Sequence, residues 1–430
     1  MRPISFLLLV LMVVACGPAV QHIKDGTGGG TSAGGGSATG GSTGGGTGSA
    51  TGGGLGTNSF GTQCSGAPTT LTGTVLAPNG LDPVPSAEVA VWFAAPASLA
   101  RGVVCENCAV SADVPLASTI TGLDGSFVLN LDAVTKSTSL VVTVRKARFR
   151  TVNAAIAITA CGATSLAGTK VTLPGSSAAG DLPRIAVSSG NRDHLENVLR
   201  AMGITEYDCV KGLAASSTAE TCTRPTTLGQ LLADPTQLAT YGMLFIACAP
   251  SDTFEPGSAA AAANLRTWVN AGGKLIVTDD SYDFVEQAFP DAVDFMAPAA
   301  AAGVAQAPNT AEVGVAVTSL TGTVTDSNLQ GWLSHFPATI AGNAVQLTGF
   351  LSKWAVMRGV GLQTSVLVHG PASWTGGTGD VPLTASFEVN HCGRVIFSSY
   401  HTDSGSTSLK PQERILEYLM LQVGQCTEIN

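Results

Sequence analysis

"GGKLIVTDDSYDF", residues 272–284, decides what kind of fold the second half of this chain adopts. Two glycines turn the chain, Leu275, Ile276 and Val277 form an unbroken apolar run, and Thr278, Asp279, Asp280 and Ser281 follow at once. An apolar run without alternation is the pattern of a strand buried on both faces, as in a parallel sheet covered by helices. Its polar end then falls on the carboxyl edge of the sheet, where open α/β folds bind ligands.

The neighbouring segments extend that reading. "RIAVSSG" (184–190) and "GMLFIAC" (242–248) are further buried strands. "NRDHLENVLRAMG" (191–203) predicts a helix capped by Asn191, with Asp193 and Glu196 at the positive end of its dipole and Gly203 at its stop. Leu195, Val198, Leu199 and Met202 recur at helical spacing and face the sheet. "SAAAAANLRTWVNAGG" (258–273) is an Ala-rich helix, "CGRVIFSSYH" (392–401) a last buried strand, and "PQERILEYLMLQV" (411–423) a closing helix with Pro411 in its first turn. Strand and helix in alternation predict a mostly parallel α/β domain over 184–430. Between 291 and 340 the chain is rich in Ala and Pro, with only "DSNLQGWLSHF" (326–336) helical; it reads as a lid or binding loop, with His335 a packing residue.

Residues 64–174 follow different rules. "LTGTVLAPNG", "AEVAVWF", "STITGLDGSFVLNL" and "SLVVTVRKARFRTV" are short β-rich runs broken by Pro-Asn-Gly and Asp-Gly turns, which predicts an antiparallel sandwich of about seven strands. Residues 175–183 link the two domains. In "VRKARFRTV" strand alternation places Lys146, Arg148 and Arg150 on one face and Phe149 on the other, a candidate surface for an anionic envelope glycan or lipid phosphate, or a plain solvated face.

Ahead of both domains, Arg2 precedes an apolar run from Ile4 to Ala15, too short for a bilayer of about 30 Å at 1.5 Å per residue, so it reads as a signal-peptide core. Residues 26–61 are half glycine and carry no charge, which predicts a random-coil tether. With 21 basic against 30 acidic residues, no basic surface is available to displace counterions from nucleic acid, and no nucleic-acid partner is expected.

Several of these segments carry family resemblances. Val13-Val14-Ala15-Cys16 resembles a bacterial lipobox, which implies cleavage after residue 15 and diacylglyceryl and acyl (palmitate-type) attachment at Cys16. Gly17 in place of Asp leans towards the outer membrane by analogy with lipoprotein sorting. Gly73-Thr74-Val75, Pro78-Asn79-Gly80, Val84 to Val89 and Thr121 to Phe127 resemble the carboxypeptidase regulatory-like domain, a transthyretin-like sandwich that is generally non-catalytic. The long insert carrying Cys105 and Cys108 departs from its short pattern. "YGMLFIAC", "WVNAGGKLIVTDDSYDF" and "CGRVIFSSYHTDSG" resemble the class I glutamine-amidotransferase-like fold, a flavodoxin-like α/β layout, and above all its trehalose-utilisation-like branch.

That last resemblance implies a nucleophile on the turn after the 274–278 strand and a histidine base at a later strand end. Position by position these are Asp279, Asp280 and Ser281 on the turn, and His401. No cysteine lies there, and Cys248 ends a different strand, so glutaminase chemistry is not expected. Ser281, His401 and an aspartate, Asp279 or Asp403, form a fallback hydrolase set without a G-x-S-x-G elbow. Asp279, Asp280, Asp283 and His401 could face a divalent cation, and "SSGNRDH" faintly resembles a phosphate loop lacking its hydroxyl residues. Solvated, inert carboxylates are the plainer expectation, with no metal and no cofactor; Asp279 and Asp280 remain candidates for ligand binding.

Ten cysteines, less the lipidated one, leave nine, so one is unpaired or bonds between chains. Cys64, Cys105, Cys108 and Cys161 are expected to form structural disulfides, with redox or zinc use of Cys105 and Cys108 less favoured. A closing helix running back antiparallel to its strand predicts Cys392–Cys426; Cys209 and Cys222 close their shared loop, and Cys248 is left over. The expected function is a lipid-anchored, non-catalytic binding or scaffolding protein of the envelope with a glycan or protein partner; the rival is a serine hydrolase-like enzyme at Ser281 and His401.

Overall fold

A computed structural model describes residues 64–105, 114–188, 190, 192–212, 226–248, 258–402 and 408–422. Cys16, the tether, Cys108, Asn191, Cys222, Asp403 and Cys426 lie outside them.

The first part holds seven strands: β1 (Thr70–Thr74), β2 (Glu88–Trp92), β3 (Ala117–Ile120), β4 (Ser126–Asn130), β5 (Thr138–Lys146), β6 (Phe149–Ile158) and β7 (Ala163–Ser165). An antiparallel sheet of order β3-β2-β5-β6 and a three-stranded sheet β4-β1-β7 share one core that includes Leu71, Val89, Phe127, Val142 and Phe149. Antiparallel pairing is not universal here, because β7 runs parallel to β1. Cys64 and Cys161 are disulfide-bonded, their Cα atoms 5.4 Å apart, which ties the entry of β1 to the start of β7.

"VRKARFRTV" is not one strand. The chain reverses at Ala147 and Arg148, Lys146 pairs with Phe149 and Arg145 with Arg150, and the expected single basic face does not exist. Ala147 takes φ +56, a conformation that hairpins usually give to Gly or Asn, so the turn carried no composition signal.

The second part begins with β8 (Ile185–Ser188), α1 (Leu195–Ala201), β9 (Asp208–Val210), α2 (Leu228–Ala233), α3 (Pro235–Leu238), β10 (Met243–Ile246), α4 (Ser258–Asn270) and β11 (Lys274–Thr278). After α5 (Asp283–Glu286) and β12 (Val293–Asp294) come β13 (Val317–Val324), α6 (Ser327–Leu333), β14 (Ile340–Ala341), β15 (Ala344–Phe350) and β16 (Gly359–Val360). The long hairpin β17 (Thr364–Trp374) and β18 (Gly377–Val389), then β19 (Gly393–Ser398) and α7 (Pro411–Gln422), complete the chain. One ten-stranded sheet runs β14-β15-β13-β17-β18-β19-β11-β10-β8-β9.

Its β9-β8-β10-β11-β19 half is parallel, and all four residues of β8 and of β10 are buried. The other half is antiparallel, so the sheet is mixed and not mostly parallel as expected. Residues 291–340, expected as a lid or binding loop with a helix within 326–336, do hold that helix as α6, but they also supply β12 and β13, and β13 belongs to this antiparallel extension. Alternating burial in β13 and β15 shows why: one face is wet, so neither segment has the continuous apolar run of a parallel strand. α1 starts at Leu195 with His194 at its N-cap, later than expected, but Leu195, Val198 and Leu199 are buried as predicted. Among the described residues no helix is long and apolar enough to cross a membrane.

The insert after β2 joins the two parts. Residues 101–105 run along the amino edge of the parallel strands: Arg184 N donates to Arg101 O (2.8 Å) and Val103 N to Ala239 O (2.9 Å). Gly272 has φ +110, and a Cβ on it would lie 2.1 Å from the Val104 carbonyl oxygen, so only glycine admits this strap. The strap ends in a disulfide between Cys105 and Cys392, 287 residues apart in sequence. This replaces the expected Cys392–Cys426 bond: Cys392 sits in the β18–β19 turn on the edge the strap covers. Cys209 is also disulfide-bonded.

Candidate functional site

In parallel strands paired without a shift, the carboxyl ends line up. Ile246 of β10 is level with Val277 of β11 and Ser188 of β8, and Thr278 is level with Ser398 of β19. The residues that follow these ends therefore converge: Cys248 after β10, Asp279 after β11, and His401 after β19. Cys248, Asp279 and His401 are 1%, 1% and 5% exposed.

Their reactive atoms form a tight triangle. His401 Nε2 lies 3.2 Å from Cys248 Sγ and 3.1 Å from Asp279 Oδ2, and Sγ is 3.9 Å from the same carboxylate oxygen. Each member is held by a bond directed away from the triangle. His401 Nδ1 lies 2.7 Å from the Gly349 carbonyl oxygen, which makes Nδ1 the N–H donor and leaves Nε2 a lone pair in the neutral ring. Asp279 Oδ1 accepts from Ala355 N (2.7 Å), and Cys248 N donates to Thr278 Oγ1 (3.0 Å). Thr278 in turn donates to Asp193, whose other oxygen accepts from Thr402 N at 2.6 Å. Asp279 has φ +46, a left-handed conformation that a non-glycine residue adopts at some cost and that here turns its carboxylate back over the strand end.

Burial and charge set the protonation. Burial raises the Asp279 and Asp193 carboxyls above their usual range, with the His401 charge acting against it, and burial also raises Asp280. Burial alone would lower His401, but Asp193 and Asp279 outweigh it and hold the imidazole above its ordinary value. Burial, then Asp279 and Asp193, push the Cys248 thiol far up. Without a cation this cysteine is a thiol, and a thiol is a poor nucleophile.

The expected residues are placed unevenly. Asp279 and His401 meet at the strand ends. Ser281 does not join them: its Oγ donates to Ala247 O (2.9 Å), and His401 turns to Cys248 and Asp279 instead. Asp280 is half-buried beside the cluster, while Asp283 accepts from Asn309 N (2.9 Å), so the four-residue cation set is not assembled. The turn before α1 carries Asp193, a carboxylate, where a phosphate loop needs donors. His335 is exposed, its Nδ1 3.0 Å from Gly331 O at the end of α6, rather than packed.

Lys146, Arg148 and Arg150 form no solvated basic face, for they are only 1%, 5% and 5% exposed. Lys146 Nζ donates to Ser86 O (3.2 Å) and Gln422 Oε1 (2.9 Å), Arg148 donates to Gly102 O, and Arg150 pairs with Asp181 (2.6 Å). These cations fasten the β-rich part to the strap and to α7. Burial, with the Arg394 charge adding to it, lowers the Lys146 amine to about 7.

Two residues of the cluster are not expected from sequence. Cys248 ends a different strand from the carboxylate turn, and adjacency of parallel strand ends is the signal that includes it. Asp193 sits where a helix dipole accounts for it, and nothing local marks it as buried. The chain matches no known family model and no curated protein.

Proposed function

We propose that this protein is a lipid-anchored component of the bacterial cell envelope, on the outer-membrane side, whose folded part binds rather than catalyses. In this reading the β-rich part is a carboxypeptidase regulatory-like sandwich over 64–174, and 184–430 is an amidotransferase-like domain extended by antiparallel strands. The lipobox ending in Cys16 and the glycine-rich tether support the anchoring, and the disulfides suit an oxidising compartment. The observation that carries the non-catalytic reading is the turn after β11: Asp279, a buried and hydrogen-bonded carboxylate, stands where a nucleophile belongs, and the Ser281 hydroxyl is bonded to a carbonyl.

A glycan is the ligand class favoured by a cavity of about 710 Å³ among α6, α7 and the strands β17, β18 and β19. Asp326, Asn328, Gln363, Glu388 and His391 supply polar groups there, and Tyr418 an aromatic ring, the mixture that recognises hydroxyl-rich, partly apolar sugar faces. The full chain is expected to retain an envelope polysaccharide on a pull-down, and Asn328→Ala with Gln363→Ala to lose it; retention of none removes the glycan. Fluorophosphonate labelling separates the hydrolase alternative. No adduct is expected by intact mass, and an adduct that disappears in Ser281→Ala would make the strand edge a serine active site.

A further inference from the structure

We propose that Cys248, Asp279 and His401 form a binding site for one divalent transition metal of the zinc type. Four-coordinate zinc holds sulfur at about 2.3 Å and nitrogen or oxygen at about 2.0–2.2 Å, so donors on one face of its tetrahedron lie about 3.3–3.7 Å apart. The three donor atoms stand 3.1, 3.2 and 3.9 Å from one another, close to that face before any ion draws them in.

The surroundings are those a metal centre needs. A ligating histidine presents one nitrogen to the ion and fixes its ring by donating the other N–H to a carbonyl or carboxylate. His401 does this with Gly349 O (2.7 Å). Gly349 permits the approach, since its φ is +83 and a Cβ there would lie 3.3 Å from that of His401. Asp279 is steadied through its other oxygen by Ala355 N, and Thr278 holds the Cys248 backbone. Each ligand thus has its own support, from a different segment of the fold.

Charge and ligand type narrow the ion. Thiolate and carboxylate together carry two negative charges, which a divalent cation neutralises in a place where water is scarce. Binding displaces the thiol proton to solvent. Sulfur with imidazole selects zinc, cobalt or copper over magnesium and calcium, which prefer oxygen shells. Three protein ligands leave a fourth position for water or a small ligand. The inference is independent of the glycan cavity, so either can fail without the other.

The test is cobalt(II) titration of the full chain, purified without thiol reductants to preserve its disulfides, with zinc as competitor. One equivalent of cobalt should raise a sulfur-to-cobalt charge-transfer band in the near ultraviolet and tetrahedral d–d bands in the visible, and zinc should remove both. Cys248→Ser should abolish the charge-transfer band, and His401→Gln should weaken binding at least about tenfold. Circular dichroism checks that each variant is folded, but the unmodified protein decides first. The proposal is overturned by the absence of a charge-transfer band at stoichiometric cobalt, or by a band that survives Cys248→Ser.

Discussion

The two edges of the parallel half-sheet are built from the same strands and have opposite characters. At the amino edge, Gly242, Gly272 and Gly393 begin or precede strands, and each leaves room for another segment to lie against the backbone: a Cβ on any of them would come within 3.1 Å of a neighbour. The strap occupies the space at Gly242 and Gly272, and the Cys105–Cys392 disulfide closes it. At the carboxyl edge the chain instead delivers cysteine, aspartate and histidine, buried and in hydrogen-bond reach of one another. One edge is covalently locked, while the other concentrates charge away from water. Stability should therefore depend on the first, and sensitivity to pH and metal on the second.

The largest effect should come from cutting the lock. Replacing Cys105 and Cys392 together by alanine releases a closure spanning 287 residues, and about 4 kcal/mol of unfolding free energy should go with it, read from denaturant midpoints. An unchanged midpoint would mean that the strap adds nothing to the packing. Gly272→Ala comes next. It forces a side chain into φ +110 and against the Val104 carbonyl, and should cost about 3 kcal/mol while leaving cobalt binding at the other edge intact. Loss of both together would show that the two edges are not separable.

The smallest effect belongs to the carboxyl edge, at Glu286 on α5. Its Oε1 accepts from Gln306 N (2.7 Å), and burial, aided by Asp294 and Asp283, raises its carboxyl from 4.5 to about 7. The folded state therefore holds a proton that the unfolded chain releases above pH 4.5. The stability linked to this group is complete below about pH 4.5 and lost as the pH rises towards 7. Glu286→Gln should flatten that part of the profile by about 1 kcal/mol, solvent screening having reduced the full linkage. A profile that keeps its slope in the variant would place the titration on another carboxyl.

Much of the framework was legible because it is local. The apolar runs at 185–188, 243–246, 274–278 and 393–398 are strands, and the Ala-rich and Pro411-led segments are helices, since a strand buried on both faces can carry no polar residue in its middle. The antiparallel half escaped because its strands are wet on one face and interrupted by glycine and proline. The hairpin at Ala147 escaped because no residue there announces a left-handed turn.

By itself the sequence determined the strands β8, β10, β11 and β19 and the helices α1, α4 and α7, that a β-rich part precedes them, and that the turn after β11 bears carboxylates. Periodicity, turn chemistry and the buried-strand pattern are properties of neighbours in the chain. Only the tertiary structure decided that Cys105 meets Cys392, that Lys146, Arg148 and Arg150 are buried fasteners, and that Cys248 joins Asp279 and His401. Those outcomes depend on which strand ends are placed side by side, and residues as far apart as 248 and 401 come together only through the order of strands in the sheet.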